Sequence, residues 1–150
     1  MGRLYFAVDI AAPPDRVFAF FVPQRMPYWY GAEMEAQCEV QGGAAEFAVG
    51  QKVRIIGRLG RREVSLTAVV TRYERLGVLE WQFLDAYGVR GMQSWELETS
   101  AAGARVTMRD EYALPGGALA RLADVLFTRW SVAARDRAWL ARLKRLAERA

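Results

Sequence analysis

Residues 118–148 contain neither proline nor glycine, and they follow roughly eighty residues in which apolar side chains recur at every second position. That change of period limits the architectures open to the chain. The closing run is rich in Ala, Leu and Arg, all good helix formers. It predicts one helix of about 45 Å at 1.5 Å per residue. The stretch before it predicts strands, one face apolar and one face wet.

The strands can be placed from their alternation. Leu4, Phe6, Val8 and Ile10 share a face over residues 4–10. Pro13 and Pro14 stop that strand, and Pro14-Asp15 suits the first turn of a short helix over 15–22. Pro23 and Pro27 leave room for at most one more short helical turn near 24–29. From residue 33 onward the alternation resumes: 33–40, 53–59, 64–71, 78–87, 89–99 and 104–114. The runs are separated by Gly42-Gly43, Gly60, Gly77, Gly88 and Gly103. Short turns between successive strands mean antiparallel pairing. The expected fold is therefore α+β: a seven-stranded antiparallel sheet gripping a C-terminal helix over about 118–147, with two short helices between strands one and two. A length of 150 residues fits a single domain over 1–150, with about two thirds of the unfolded surface buried.

Several chemistries are absent from the composition. There is no histidine, which removes a His base, a His-containing triad and His-ligated metal or haem. The single cysteine, Cys38, allows no intrachain disulfide and no Cys-rich zinc site, and points to a reducing, cytoplasmic setting. Cys38 falls on an apolar strand face and reads as a small buried hydrophobe. Neither nucleotide-phosphate fingerprint is present, so no cofactor and no metal are expected. No apolar run is long enough to span a bilayer, and the first ten residues read as a strand rather than a signal peptide. Residues 117–150 hold eight basic and three acidic side chains, while the rest of the chain is nearly balanced. Positive charge confined to one helix, without a recognition motif, argues against nucleic acid. The same basic run, with Trp139, Leu140 and Leu143, reads as the outer part of a docked helix rather than a membrane-surface helix.

The order of elements, with "DIAAPPDRVFAFF" at 9–21, "PYWY" at 27–30, "VVTRYERLGVLEW" at 69–81 and "SWELETSAAGARVTMRDEY" at 94–112, resembles the START-like, Bet v 1-like (SRPBCC) superfamily, and most closely its polyketide cyclase/dehydrase branch. The resemblance covers nearly the whole chain. It implies a helix-grip fold with a hollow between sheet and helix, and a hydrophobic small molecule, lipid-like or aromatic, as the partner. Two other roles occur in the superfamily: a cyclase/dehydrase-type enzyme, and a co-chaperone-like protein–protein module. The branch of oxygenases needs metal-binding histidines and is excluded by their absence.

Parity sets the candidate site. Leu79, Trp81 and Phe83 fix one face of their strand, which carries Asp85 and Tyr87 inward with them. Trp95 and Leu97 do the same for Gln93 and Gly91, and Val106 with Met108 for Asp110 and Tyr112. Polar groups converging in an apolar hollow mark a default site, though near strand ends the same residues can be wetted or paired with an Arg. Trp29, Trp81, Phe83, Tyr87, Gln93, Trp95, Met108, Trp130 and Arg137 are the expected ligand-binding residues; Trp29 reads equally as a plug closing the core, and Trp81, Trp95 and Trp130 as core packing that also lines the hollow. Asp85, Asp110 and Tyr112 are the acid–base candidates should the protein be an enzyme. The helix stripe is expected to run through Leu119, Leu122, Ala123, Leu126, Trp130, Ala133 and Ala134. Arg137 lies five α-helical turns beyond Leu119, so it either points at the sheet or, at a rotated or frayed helix end, faces solvent.

Overall fold

The computed structural model describes residues 2–149, with the side chains of Val125 and Leu126 outside the described set. Strand β1 (Gly2–Ile10) leads through helix α1 (Pro14–Phe18) and two 3₁₀ turns, Met26–Tyr28 and Ala32–Met34, into β2 (Gln37–Val40). Strands β3 (Lys52–Leu59), β4 (Arg62–Glu74), β5 (Val78–Asp85), β6 (Arg90–Ser100) and β7 (Gly103–Ala113) follow as a meander. The strands pair in the order β1-β7-β6-β5-β4-β3-β2, antiparallel throughout. The α+β expectation holds, except that 33–36 forms a turn rather than the start of β2. Glu35 adopts the left-handed region there (φ 51), which ends strand geometry.

One wet face and one buried face per strand follow the period. Along β7, Ala104, Val106, Met108, Asp110 and Tyr112 are buried. Along β6, Gln93, Trp95 and Leu97 are buried on the same side. A register shift in β4 between Val70 and Arg72 bends the sheet. The interior is filled mainly by aromatics. Trp81 and Trp95 meet edge-to-face at 5.1 Å, Trp29 and Trp95 at 5.8 Å, and Phe21 packs on Trp29 at 5.1 Å.

The C-terminal helix is continuous but not uniform: α2 (Ala118–Ala123), a π-helical turn (Asp124–Thr128) and α3 (Arg129–Arg149). The π turn overturns the expected stripe. It takes one more residue than an α turn, so the half-buried or buried positions upstream step by four: Ala120, Asp124, Thr128, Val132, Asp136. Leu119, Leu122 and Trp130 are consequently 83%, 56% and 77% exposed, and Ala123 is exposed too. Leu126 lies outside the described side chains. Ala133 is buried as expected, whereas Ala134 is exposed. Arg137 sits one residue, about 100°, past Asp136 and so leaves the inward face; its guanidinium lies 5.1 Å over the Phe6 ring at the surface.

Polar ties fasten the second half of α3. The Lys144 Nζ donates to the Asp9 carbonyl (2.8 Å), and Glu148 Oε2 accepts from the Ala11 amide (2.9 Å). Arg142 Nε donates to the Tyr28 carbonyl (2.6 Å), and Trp139 Nε1 to Glu33 Oε2 (2.8 Å). These contacts hold the helix against β1 and against the connection before β2. No helix of the described residues is long and apolar enough to cross a membrane.

Candidate functional site

A cavity of about 300 Å³ lies between α3 and the inner face of the sheet. Ile55 and Leu59 of β3 and Val64 and Leu66 of β4 form an aliphatic wall. Tyr30, Glu33 and Met34 come from the connection, Asp85 and Tyr87 from the end of β5, and Arg135 and Trp139 from α3. A larger groove of about 680 Å³ crosses the outer face beside Arg54, Thr67, Val69, Gln82 and Leu84. That groove follows the bend of the wet face, whereas the inner cavity adjoins a buried polar cluster.

The cluster is built from three strands, one connection and the helix. Gln93 Oε1 accepts from Tyr30 Oη (2.7 Å) and Trp81 Nε1 (3.0 Å), and Gln93 Nε2 donates to Asp110 Oδ2 (3.5 Å). Arg135 Nη2 donates to Asp110 Oδ2 (3.3 Å) and Asp136 Oδ1 (3.2 Å), and Arg135 Nε to Asp136 Oδ1 (3.3 Å). The guanidinium stacks on the Trp139 ring at 4.5 Å. Asp136 is 0% exposed and Asp110 1%.

Two carboxyls and one guanidinium in a dry interior cannot all be simple ions. Asp110 Oδ1 and Asp136 Oδ2 are the two oxygens that no donor of the described residues reaches. A proton held between the two carboxyls would supply both. Burial, then the hydrogen bond and charge of Asp110, pushes the Asp136 carboxyl up to about 9, against the opposing pull of Arg135. With that proton the cluster is neutral: one guanidinium against two carboxyls that share one proton.

The sign of the pH dependence follows. The folded state holds this proton more tightly than the unfolded chain, whose Asp releases it near 3.8. The stabilisation is complete below about pH 4 and is lost as the pH rises toward about 9. Asp136→Asn mimics the protonated form and can still donate to Asp110. Thermal melts from pH 5 to 9 are expected to show a wild-type Tm that falls across the range and a flatter profile for the variant, the two diverging most at pH 9.

The structure distributes the sequence candidates unevenly. Asp85 and Tyr87 line the cavity, but Asp85 Oδ1 accepts from the Tyr87 (2.8 Å) and Val89 (2.9 Å) amides and so holds the β5–β6 turn. Tyr87 is half-exposed, with the Arg62 guanidinium over its ring. Gln93 and Asp110 face inward but sit behind Arg135, in the cluster rather than on the cavity surface. Trp81, Phe83, Trp95 and Met108 do not line it either; they are packed in the core because neighbouring aromatics fill the space in front of them. Trp29 closes the core, donating Nε1 to the Phe20 carbonyl (2.9 Å). Trp130 and Arg137 are outside it, for the helical reasons given above. Tyr112 stands apart: its hydroxyl donates to Asp124 Oδ1 beside Gly2, at a separate small hollow under α2. Cys38, half-buried, has its thiol pushed up to about 12 by burial, which makes it a poor nucleophile.

Sequence reasoning missed Arg135, Asp136, Trp139 and Tyr30 as site residues. A signal existed for one of them. Counting back from Leu143 and Leu140 by helical steps reaches Asp136, the one acidic residue in RDRAWLARLKR.

Comparison with known proteins adds a family and a fold. The family described as polyketide cyclase / dehydrase and lipid transport matches residues 1–148. None of the curated proteins matches the sequence. A solved structure of protein CV1439 from Chromobacterium violaceum is similar, with a TM-score of 0.72 at 17% identity over 99% of each chain. A protein from Arthrobacter aurescens gives 0.74 at 17% identity over 99% of this chain and 87% of that one. DynU16, from the dynemicin biosynthetic locus, gives 0.69 at 20% identity over 97% of this chain, which spans 47% of DynU16. At such identities the likeness is one of fold.

Proposed function

Because the chain belongs to the polyketide cyclase/dehydrase and lipid transport family, we propose that it binds a small, largely apolar molecule in the cavity between α3 and the sheet. The observation that carries this reading is the cavity itself. The chain has packed most of its interior with aromatic rings, yet leaves about 300 Å³ open between Leu66, Ile55 and Trp139. That volume is at the lower end for small-molecule sites. At about 30 Å³ per water it would hold roughly ten waters, or a ligand of about ten to twelve non-hydrogen atoms. A filled interior would have favoured the protein–protein role; the open one supports a ligand. The single, unreactive cysteine agrees with a reducing, cytoplasmic setting.

Trp139 forms part of the wall and reports on occupancy. Titration with small aromatic probes is expected to change indole emission saturably in the wild type. Leu66→Trp, which fills the cavity from the opposite wall, should abolish the response. A wild-type titration without saturation for any probe of matching size would remove the reading.

An enzymatic role of the cyclase/dehydrase type is the second reading. It is supported by Asp85, Glu33 and Tyr87 on the cavity wall, the acid–base side chains that a substrate there could touch. It is weakened by the turn-holding role of Asp85 and by the position of Asp110 behind Arg135. Loss of deuterium from an α-labelled ketone probe, dependent on Tyr87 or Glu33, would favour it over simple binding.

A further inference from the structure

We infer that the ligand carries a carboxylate head received by Nη1 of Arg135, and that its binding draws a second proton onto the Asp110–Asp136 pair. This rests on the binding reading above and adds to it a chemical class and a coupling.

The guanidinium is held on three sides. Nε and Nη2 are spent on the two carboxyls, and Trp139 covers one face. Nη1 has no hydrogen-bond partner among the described residues, and the side chain keeps 38% of its surface exposed where it lines the cavity. Nη1 alone remains open, and its two N–H groups, fixed in place by the contacts at Nε and Nη2, suit an anionic oxygen group such as a carboxylate. A buried ion cluster adds little stability over an apolar equivalent, so stability does not account for it.

Charge balance gives the coupling. With one shared proton the pair offsets Arg135. An arriving carboxylate would leave a net negative charge in a low-dielectric site. A second proton, taken from solvent onto Asp110 Oδ1 or Asp136 Oδ2, restores neutrality. The groups facing the pair are few: Arg135 beside Asp136 on α3, Asp110 on β7, and Tyr30 from the connection, with Gln93 and Trp81 uncharged. Tyr30 stays neutral, since burial pushes its hydroxyl well above the ordinary phenol range. Glu33 and Asp85 lie on the cavity wall and already accept from Trp139 and from two backbone amides.

Two probes of twelve non-hydrogen atoms separate the ideas: 4-phenylbutyrate and its uncharged amide. Calorimetry at pH 6, 7 and 8, in buffers of different ionisation enthalpy, reads affinity and protons together. For the wild type the acid should bind at least tenfold tighter than the amide at pH 6. It should take up a proton and weaken three- to tenfold per pH unit, while amide affinity stays level. In Asp110→Asn/Asp136→Asn the acid should bind with no proton uptake and no slope. Asp136→Asn alone, which keeps the Asp110–Arg135 pair, should lower the uptake if the double variant fails to fold. Equal, pH-independent binding of acid and amide would overturn the carboxylate and the coupling and leave apolar binding standing. Tight acid binding without proton uptake would overturn the coupling. Binding of neither probe would overturn both this inference and the binding reading.

Discussion

Replacing Arg135 by methionine is expected to cost about 2–3 kcal/mol at pH 8, below the 3–5 kcal/mol of a fully enclosed pair because the outer edge of the side chain is wetted. The substitution keeps the aliphatic bulk over Trp139 but removes the only charge that offsets the Asp110–Asp136 pair within the cluster. The loss should shrink at pH 5. Without the guanidinium, which holds the Asp136 carboxyl down, the pair takes its second proton more readily and becomes neutral. Adding Asp110→Asn should recover most of the stability at pH 8, because the second substitution leaves Asp136 as the single carboxyl, which can be protonated. Denaturation midpoints at the two pH values check this. An equal loss at pH 5 and pH 8 would mean that the cost is packing rather than charge.

Gly91→Ala should be at least as damaging, at about 3 kcal/mol. Gly91 faces Tyr112 across the β6–β7 ladder, on the inner face. A Cβ built there would stand 1.8 Å from the Glu111 carbonyl oxygen and 2.8 Å from the Tyr112 Cα. Both are backbone atoms of the neighbouring strand, so no side chain can step aside. Relief requires the two strands to part at this end, which would also disturb Tyr112 and its hydrogen bond to Asp124. The denaturant midpoint should fall with little change in slope, and amide exchange should quicken along Arg90–Gln93 and Asp110–Ala113. Unchanged protection in those segments would mean that the sheet absorbs the methyl group elsewhere.

The strands were legible because large apolar residues set their parity. Trp95 places Gln93, and Met108 places Asp110, on the inner face, and both side chains are found there. Depth was not legible in the same way. Parity says that Trp81 and Phe83 face inward, but whether they border a void depends on which rings come to rest against them. Tyr30 and Phe47 reach the Trp81 ring from elements far away in sequence. The helix was misread in its first half because the stripe through Leu119, Leu122 and Trp130 assumes one unbroken α period. The π turn at Asp124–Thr128 is favoured by tertiary contacts: it brings Asp124 to the Tyr112 hydroxyl and near Arg129, at the cost of exposing the leucines. No local pattern announces that exchange. Read backward from Leu140 and Leu143, where the helix is regular, the sequence does place Asp136 at the sheet.

Locating a bound molecule tests the binding site most directly. Methyl and indole NMR spectra of the labelled protein, recorded during titration with 4-phenylbutyrate or its amide, report each wall separately. The methyl groups of Met34, Ile55 and Leu66 and the indole of Trp139 are expected to shift together and to saturate, while Leu119, Leu122 and Trp130 on the exposed stretch of helix stay in place. Shifts confined to Leu119, Leu122 and Trp130, or to Val69 and Leu84 on the outer face, with Ile55 and Trp139 unmoved, would contradict a site between α3 and the sheet.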